Sequence, residues 1–233
     1  MAEAVAAGAR YGIRVIAGCE FSVVGDWGEL HLLGYFLPDD DPRLSGELTR
    51  LRQLRVERGH TMVQAIQKLG LPLEQADVDR EAAGGAVGRP HVARALVARK
   101  LARSIDDAFD RLLGRGRPAY VGKVLPELAD ICTLIRTVGG VSSLAHPKDR
   151  ANRQTLQSLQ ARGLDGVEVC HPSHSGPVRT QIDRLAQELG LLRTGGSDSH
   201  GEHAASSTHN VIGGERIPMA WVDAAEALAR SRR

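Results

Sequence analysis

Imidazole and carboxylate groups recur in this sequence at the ends of short apolar runs. Glu20 follows VIAGC, His146 follows VSSLA, His171 follows VEVC, and Asp198 and His200 follow LLRTGG. His31 differs in lying inside its run, ELHLLGYF. Nitrogen and oxygen donors of these types suit a divalent ion such as zinc, manganese or iron. In SDSH, Asp198 and His200 are two positions apart, so an extended backbone turns both to one side. Several such groups around clustered ions would acidify water and clamp phosphate oxygens. Singly, each has a bland reading, since a histidine at a strand end is more often a surface or hydrogen-bonding residue. The metal reading rests on the joint recurrence. His60, His203 and His209 are read as structural or exposed, and Cys19, Cys132 and Cys170 as core neighbours.

The elements that must carry these groups can be read from the same pattern. Residues 2–11 are Ala-rich and read as a helix ending at Gly12. IRVIAG reads as a buried strand, Gly25, Asp26 and Gly28 as a hairpin turn, and ELHLLGYF as a second strand. From Arg43 to Arg115, Leu48, Leu51, Leu54, Met62, Ile66 and Leu69 recur at helical spacing, with further helices expected at 74–83, 90–102 and 104–113. That block reads as a helical subdomain. Helices at 126–138, 151–162 and 177–189 then alternate with the strands GGVSSLAH, DGVEVCH and LLRTGGSDSH, before a last helix at 219–231. Such alternation argues for a parallel sheet or a barrel. In α/β barrels the catalytic groups gather beyond the C-terminal strand ends, where these ligand-type residues mostly fall.

Composition narrows the class. The chain has 233 residues, 42% of them apolar and only 3% aromatic, so aliphatic side chains must build the core. A formal net charge of +2 with 25% charged residues does not suggest a general nucleic-acid binder, and no double-stranded DNA partner is expected. No run is long enough to span a bilayer. The cysteines form no CxxC pair, which favours reduced thiols and a cytoplasmic setting.

The stretches GCEFSV, LHLLGYF, GRPHVARALV, AFDRLLGRGRPAYV, GGVSSLAHPK, GLDGVEVCHPSHS and LLRTGGSDSHG resemble the polymerase and histidinol phosphatase (PHP) family. The likeness is strongest to its stand-alone bacterial phosphoesterase branch, and it runs in order over nearly the whole chain. The resemblance implies a distorted (β/α)7 TIM-like barrel interrupted by a helical insertion. Residues 1–42 and 116–233 would form the barrel and 43–115 the insertion. It implies that Glu20 bridges metal ions and that His31, His146, Asp198 and His200 are further ligands, with Glu20, His146 and Asp198 central to catalysis. Arg89 and His91 of GRPH would face substrate, with Arg89 as a phosphate clamp. A helix-capping role for the same turn is the competing reading. Arg115, Arg117 and Tyr120 of GRGRPAY are weaker candidates, and His171 and His174 would line the mouth.

The sequence departs from the family pattern at its beginning. No His-x-His strand or Asp-His pair precedes His31, so the barrel is expected to be incomplete at its N-terminus. The retained ligands suit one ion, where the complete family site holds two or three manganese, zinc or iron ions. A true start upstream of Met1 is the expected explanation. The function implied is metal-dependent hydrolysis of phosphate esters in a nucleotide or short RNA, such as a nucleoside 3′,5′-bisphosphate or a 5′-phosphorylated end. A truncated, non-catalytic phosphate- or RNA-binding remnant is the alternative. A metal-dependent amidohydrolase is a third reading, weakened because neither Lys123 nor Lys148 sits at a convincing strand end.

Overall fold

The computed structural model describes residues 1–85, 87–200 and 212–233; His203 and His209 lie outside them. The chain divides into two compact units, Met1–Ser45 with Leu125–Arg233, and Gly46–Val124.

The first unit is a mixed α/β structure around one sheet. Helix α1 (Ala2–Tyr11) ends at Gly12, whose φ of 67° places it in the left-handed conformation that glycine adopts without steric cost. The strands are β1 (Gly18–Gly25), β2 (Gly28–Tyr35), β3 (Val141–Leu144), β4 (Gly166–Cys170) and β5 (Leu192–Gly195), paired in that order. The two-residue turn Asp26–Trp27 folds β1 back on β2, and β2 is antiparallel to β3, while β3, β4 and β5 are parallel.

Two sequence expectations are corrected here. IRVIAG is not a strand; pairing begins at Gly18, so Glu20 lies inside β1 rather than beyond a strand end. The sheet is also not parallel throughout. Among the described residues it is an open five-stranded sheet, antiparallel from β1 to β3: the two-residue turn forces β2 to run against β1, and β2 also pairs antiparallel with β3.

The pairing register sorts side chains between two faces. Phe21, Val23, Leu30, Leu32, Leu144 and Val167 share one face and are buried. Buried apolar residues also come from α6 (Leu128–Thr137), α7 (Arg153–Ala161) and α8 (Gly176–Leu189): Leu128, Ile131 and Ile135, then Leu156 and Leu159, then Ile182 and Leu185. The opposite sheet face carries Glu20, Ser22, His31, Ser143, Glu168 and Thr194. It is therefore the polar face, and all the chemistry of the sheet lies on it.

The second unit is helical. Most of α2 (Pro42–Lys68) belongs to it, with α3 (Gln75–Ala82), α4 (Arg89–Ala98), α5 (Ile105–Ala108) and a π-turn, Phe109–Leu113. Met62, Ile66, Leu73, Val78, Val92, Leu96 and Leu113 form its core.

At the N-terminal ends of the parallel strands, Asp165 accepts from the Ser142 amide (2.9 Å) and hydroxyl (2.9 Å). It also receives both terminal nitrogens of Arg232, the residue after α9 (Met219–Ser231), and Arg232 donates further to Gly140 O. The side chains are 7% and 13% exposed, so this bidentate pair is largely removed from water. Arg232→Ala would leave a buried carboxylate with half its donors and is expected to cost ~3 kcal/mol of stability. Urea denaturation checks this; a loss well under 1 kcal/mol would show that Ser142 and the nearby Arg136 guanidinium (3.7 Å) suffice for Asp165.

Candidate metal centre

Glu20 and His31 are diagonal neighbours across the hairpin. Glu20 pairs with Leu33 and His31 with Ser22, so both side chains stand on the polar face one step apart. Glu20 Oε1 is 2.8 Å from His31 Nδ1. Just past β3, the Ala145 amide donates to His31 O (3.0 Å), which brings the next residue alongside. His146 Nε2 then lies 3.3 Å from His31 Nδ1 and 3.5 Å from Glu20 Oε1.

His146 has a φ of 30°, strained for a residue with a Cβ. Its amide donates to Glu168 Oε2 at 2.7 Å, which holds that backbone. Glu168 is not among the residues singled out by the sequence pattern, although a lone carboxylate inside the apolar run GVEVC signals a buried polar role. It is 5% exposed, and burial pushes its carboxyl up to about 7. The same face holds the Ser143–Thr194 hydroxyl pair at 2.7 Å.

His171 and His174 extend the cluster. The ring centroids of His146 and His171 are 5.2 Å apart, and those of His171 and His174 are 5.5 Å apart. His171 is 2% exposed; its Nδ1 accepts from the Ser173 amide (3.0 Å), and its Nε2 lies 3.5 Å from Asp198 Oδ2. Its ring thus faces Asp198 rather than solvent. His174 uses both nitrogens: Nδ1 donates to Val169 O (2.9 Å) and Nε2 accepts from the Lys148 amide (3.2 Å). That fixes it as a neutral Nδ1–H tautomer bracing the loop after β3, with no nitrogen left for a metal.

Asp198, at φ 51°, is reached from the triad through His171. His200 is exposed, its Nδ1 2.8 Å from Asp198 O. Among the described residues, Glu20, His31 and His146 form the one group of three or more whose ligand atoms lie within 4.8 Å of one another; Asp198 and His200 stand apart from that group.

The triad fits a divalent cation. At metal–ligand distances of ~2.1 Å, tetrahedral donors lie about 3.4 Å apart, close to the 2.8, 3.3 and 3.5 Å separations here. Two imidazoles and a carboxylate suit zinc, manganese or iron. Hydrogen bonds from His146 and His31 hold the Glu20 carboxyl well below its usual range, and Glu20 raises the His146 imidazole. The cluster therefore already places a negative oxygen between two nitrogens.

The other sequence candidates lie in the helical unit. Arg89 begins α4, and its guanidinium lies over the rings of Phe109 (5.8 Å) and Tyr120 (5.5 Å). His91 Nδ1 accepts from the Gly88 amide (2.9 Å) and so caps α4, the role the sequence offered for this turn. Arg115 and Arg117 are exposed in the turn before Tyr120, and His60 is exposed on α2.

No family model matches the chain. It is 32% identical over 207 residues to a 5′-3′ exoribonuclease of Haemophilus influenzae, covering 85% of this chain and 74% of that protein. It is 31% identical over 213 residues to a 3′,5′-nucleoside bisphosphate phosphatase of Chromobacterium violaceum, covering 86% and 72%. Among solved structures, one described as a metal-dependent phosphoesterase of Bifidobacterium adolescentis superposes with a TM-score of 0.78 at 26% identity, over 97% of this chain and 81% of that one. The chain belongs to this PHP-like family of metal-dependent phosphoesterases, and by that membership it is a hydrolase. Among the described residues, no helix is long and apolar enough to cross a membrane.

Two expectations follow from the geometry. Glu168→Ala removes the carboxyl acceptor from a strained amide and is expected to cost ~2 kcal/mol and about 10–100-fold in metal affinity. Glu168→Gln keeps an oxygen there and should retain most of both. Urea midpoints and competition with a chromogenic chelator check this, and equal metal affinity in all three proteins would show that His146 is held by other means. Secondly, burial, aided by His146, pushes the His171 imidazole down to about 4. Between that value and the unfolded pKa of ~6.5 the unfolded chain binds more protons. Stability from a neutral His171 is thus fully present above about pH 6.5 and is lost as pH falls toward 4. In chelator-treated protein, the stability gap between wild type and His171→Asn should narrow from about pH 7.5 to about pH 5; a constant gap would refute the assignment.

Proposed function

We propose that the chain hydrolyses phosphate esters of nucleotides or short RNA, taking a nucleoside 3′,5′-bisphosphate or a 5′-phosphorylated RNA end. The observation that carries this reading is the Glu20–His31–His146 triad on the polar face of the sheet, at metal-ligand spacing. The substrate class is supported by the relatives, two of which are named for RNA and for a nucleoside bisphosphate.

Glu20, His31 and His146 would hold the cation. A divalent ion bound there supplies positive charge to phosphate oxygens and makes water more acidic. The remaining roles belong to the chain's own groups. Glu168 fixes the backbone of His146, and His171 orients the Asp198 carboxylate. Asp198 and His200, at the mouth of the same strands, are proposed as further donors. Arg89 is proposed to bind a substrate phosphate, with His91 and Arg117 as further contacts; cation–π contact with Phe109 and Tyr120 helps to order the Arg89 side chain. The sheet and its flanking helices are read as part of a PHP-type barrel, with the helical unit as its insertion.

The test is phosphate or mononucleotide release from adenosine 3′,5′-bisphosphate and from a 5′-phosphorylated oligoribonucleotide, with Mn2+. His146→Ala is expected to lower kcat by about 100-fold or more and to reduce bound metal. Silence of the wild-type protein on both substrates, or full activity in the variant, overturns the proposal.

A further inference from the structure

Beside the triad, a cavity of about 240 Å³ opens between the β1–β2 turn and the loop after β3. Its walls include Trp27 on one side, His31 and His146 at the base, and Lys148, Asp149 and Arg150 on the other. It is smaller than the ~300–1,000 Å³ pockets that enclose drug-sized ligands, so it suits one nucleoside unit and not several.

Both walls are held in place. The turn carrying Trp27 is anchored by Asp26, whose Oδ1 accepts from Arg162 at 2.6 Å. The opposite wall turns sharply through two non-glycine residues of positive φ, His146 (30°) and Lys148 (56°). Each strained amide is met from the β4 side, His146 by Glu168 and Lys148 by His174. Strain of this kind persists only where surrounding contacts fix it, and it concentrates at ligand sites. Its effect is to set the short 3-10 turn Lys148–Arg150 at the rim of the cavity. Lys148 and Arg150 make no ion pair among the described residues, which leaves both cations to an incoming anion. The carboxylate on the same wall, Asp149, can accept from a ribose hydroxyl or a base amine.

We infer that this cavity seats the nucleoside attached to the phosphate at the triad, with the base against the Trp27 ring and a second phosphate paired with Lys148 and Arg150. The inference rests on the phosphoesterase reading and adds a location to it. An aromatic wall accepts any base by stacking, and basic side chains beside it hold the backbone. It gives the enzyme a means of preferring a nucleotide carrying two phosphates over a simple phosphomonoester.

Trp27 is one of two tryptophans, so Trp221→Phe leaves it as the sole indole reporter. In that background, with Ca2+ present, titration with adenosine 3′,5′-bisphosphate is expected to quench Trp27 fluorescence saturably, and ribose 5-phosphate to leave it unchanged. By equilibrium dialysis, Trp27→Ala should weaken the bisphosphate about tenfold and Trp27→Phe only slightly. Lys148→Ala with Arg150→Ala should weaken it at least as much and flatten its salt dependence. Circular dichroism verifies that each variant is folded. Nucleotide binding without a Trp27 response, or unaltered affinity in both the Ala and the double variant, overturns the subsite. Hydrolysis with no Trp27 response would sink the subsite and leave the phosphoesterase reading standing. Saturable quenching without hydrolysis would do the reverse.

Discussion

A carboxylate buried between strands must find a donor, and Glu168 finds the amide of His146. That bond joins two elements distant in sequence, the middle of β4 and the residues leaving β3. It allows His146 a backbone conformation that a residue with a Cβ otherwise avoids. With φ at 30°, the chain turns sharply after β3, and the imidazole meets Glu20 and His31 on the hairpin. Two residues on, the Lys148 amide meets His174 in the same manner. Side chains of β4 and its following loop therefore set the course of the loop after β3. The triad and the cavity beside it both depend on that course.

The polar face becomes possible through the register of the sheet. Side chains alternate along each strand, so a shift of one residue would carry Glu20 and His31 into the aliphatic layer and Phe21 and Leu32 out of it. The cost of burying those two ionisable groups, together with the loss of the buried Phe21 and Leu32, ties the register to the core. Aliphatic packing against α6, α7 and α8 thus aligns the metal donors as a consequence of its own preferences. Asp165 and Arg232 fasten the opposite strand ends, where no ligand-type cluster lies among the described residues, so the fastening and the chemistry are at separate ends of the same strands.

Much of this was legible in the sequence, for identifiable reasons. Helix α1 followed from an alanine-rich run closed by Gly12, and the hairpin turn from Gly25, Asp26 and Gly28. The strands β3, β4 and β5 followed from apolar runs between helices. The beginning of β1 is not legible because IRVIAG is as apolar as a buried strand, and periodicity cannot separate the two over so few residues. The direction of β1 and β2 is hidden for a related reason: alternation with helices signals parallel strands, and it outweighs the short Gly25–Gly28 turn that makes this pair antiparallel. The ligand-type residues were legible because imidazole and carboxylate are conspicuous in apolar surroundings. Glu168 was equally conspicuous, yet its partner is a backbone amide, which no side-chain pattern reveals. The split between His171 and His174 was likewise hidden. One ring faces Asp198 and the other spends both nitrogens on backbone groups, and only the path of the loop distinguishes them.

Within the triad, the nitrogen and oxygen atoms also satisfy one another. Glu20 accepts from His31 and His146, and the attraction of that carboxylate raises the His146 imidazole. A cation bound there would compete with protons for these same atoms. Such competition weakens binding as pH falls. It also explains how three ionisable groups can converge without destabilising the sheet. Glu20 and His31 are each more than a third exposed, which keeps the desolvation cost small, and their mutual hydrogen bond offsets much of what remains. Fully buried, the same three groups would need a permanent partner. Partly exposed, they can exchange a proton for a metal ion while the strands, held by the aliphatic face, stay in place.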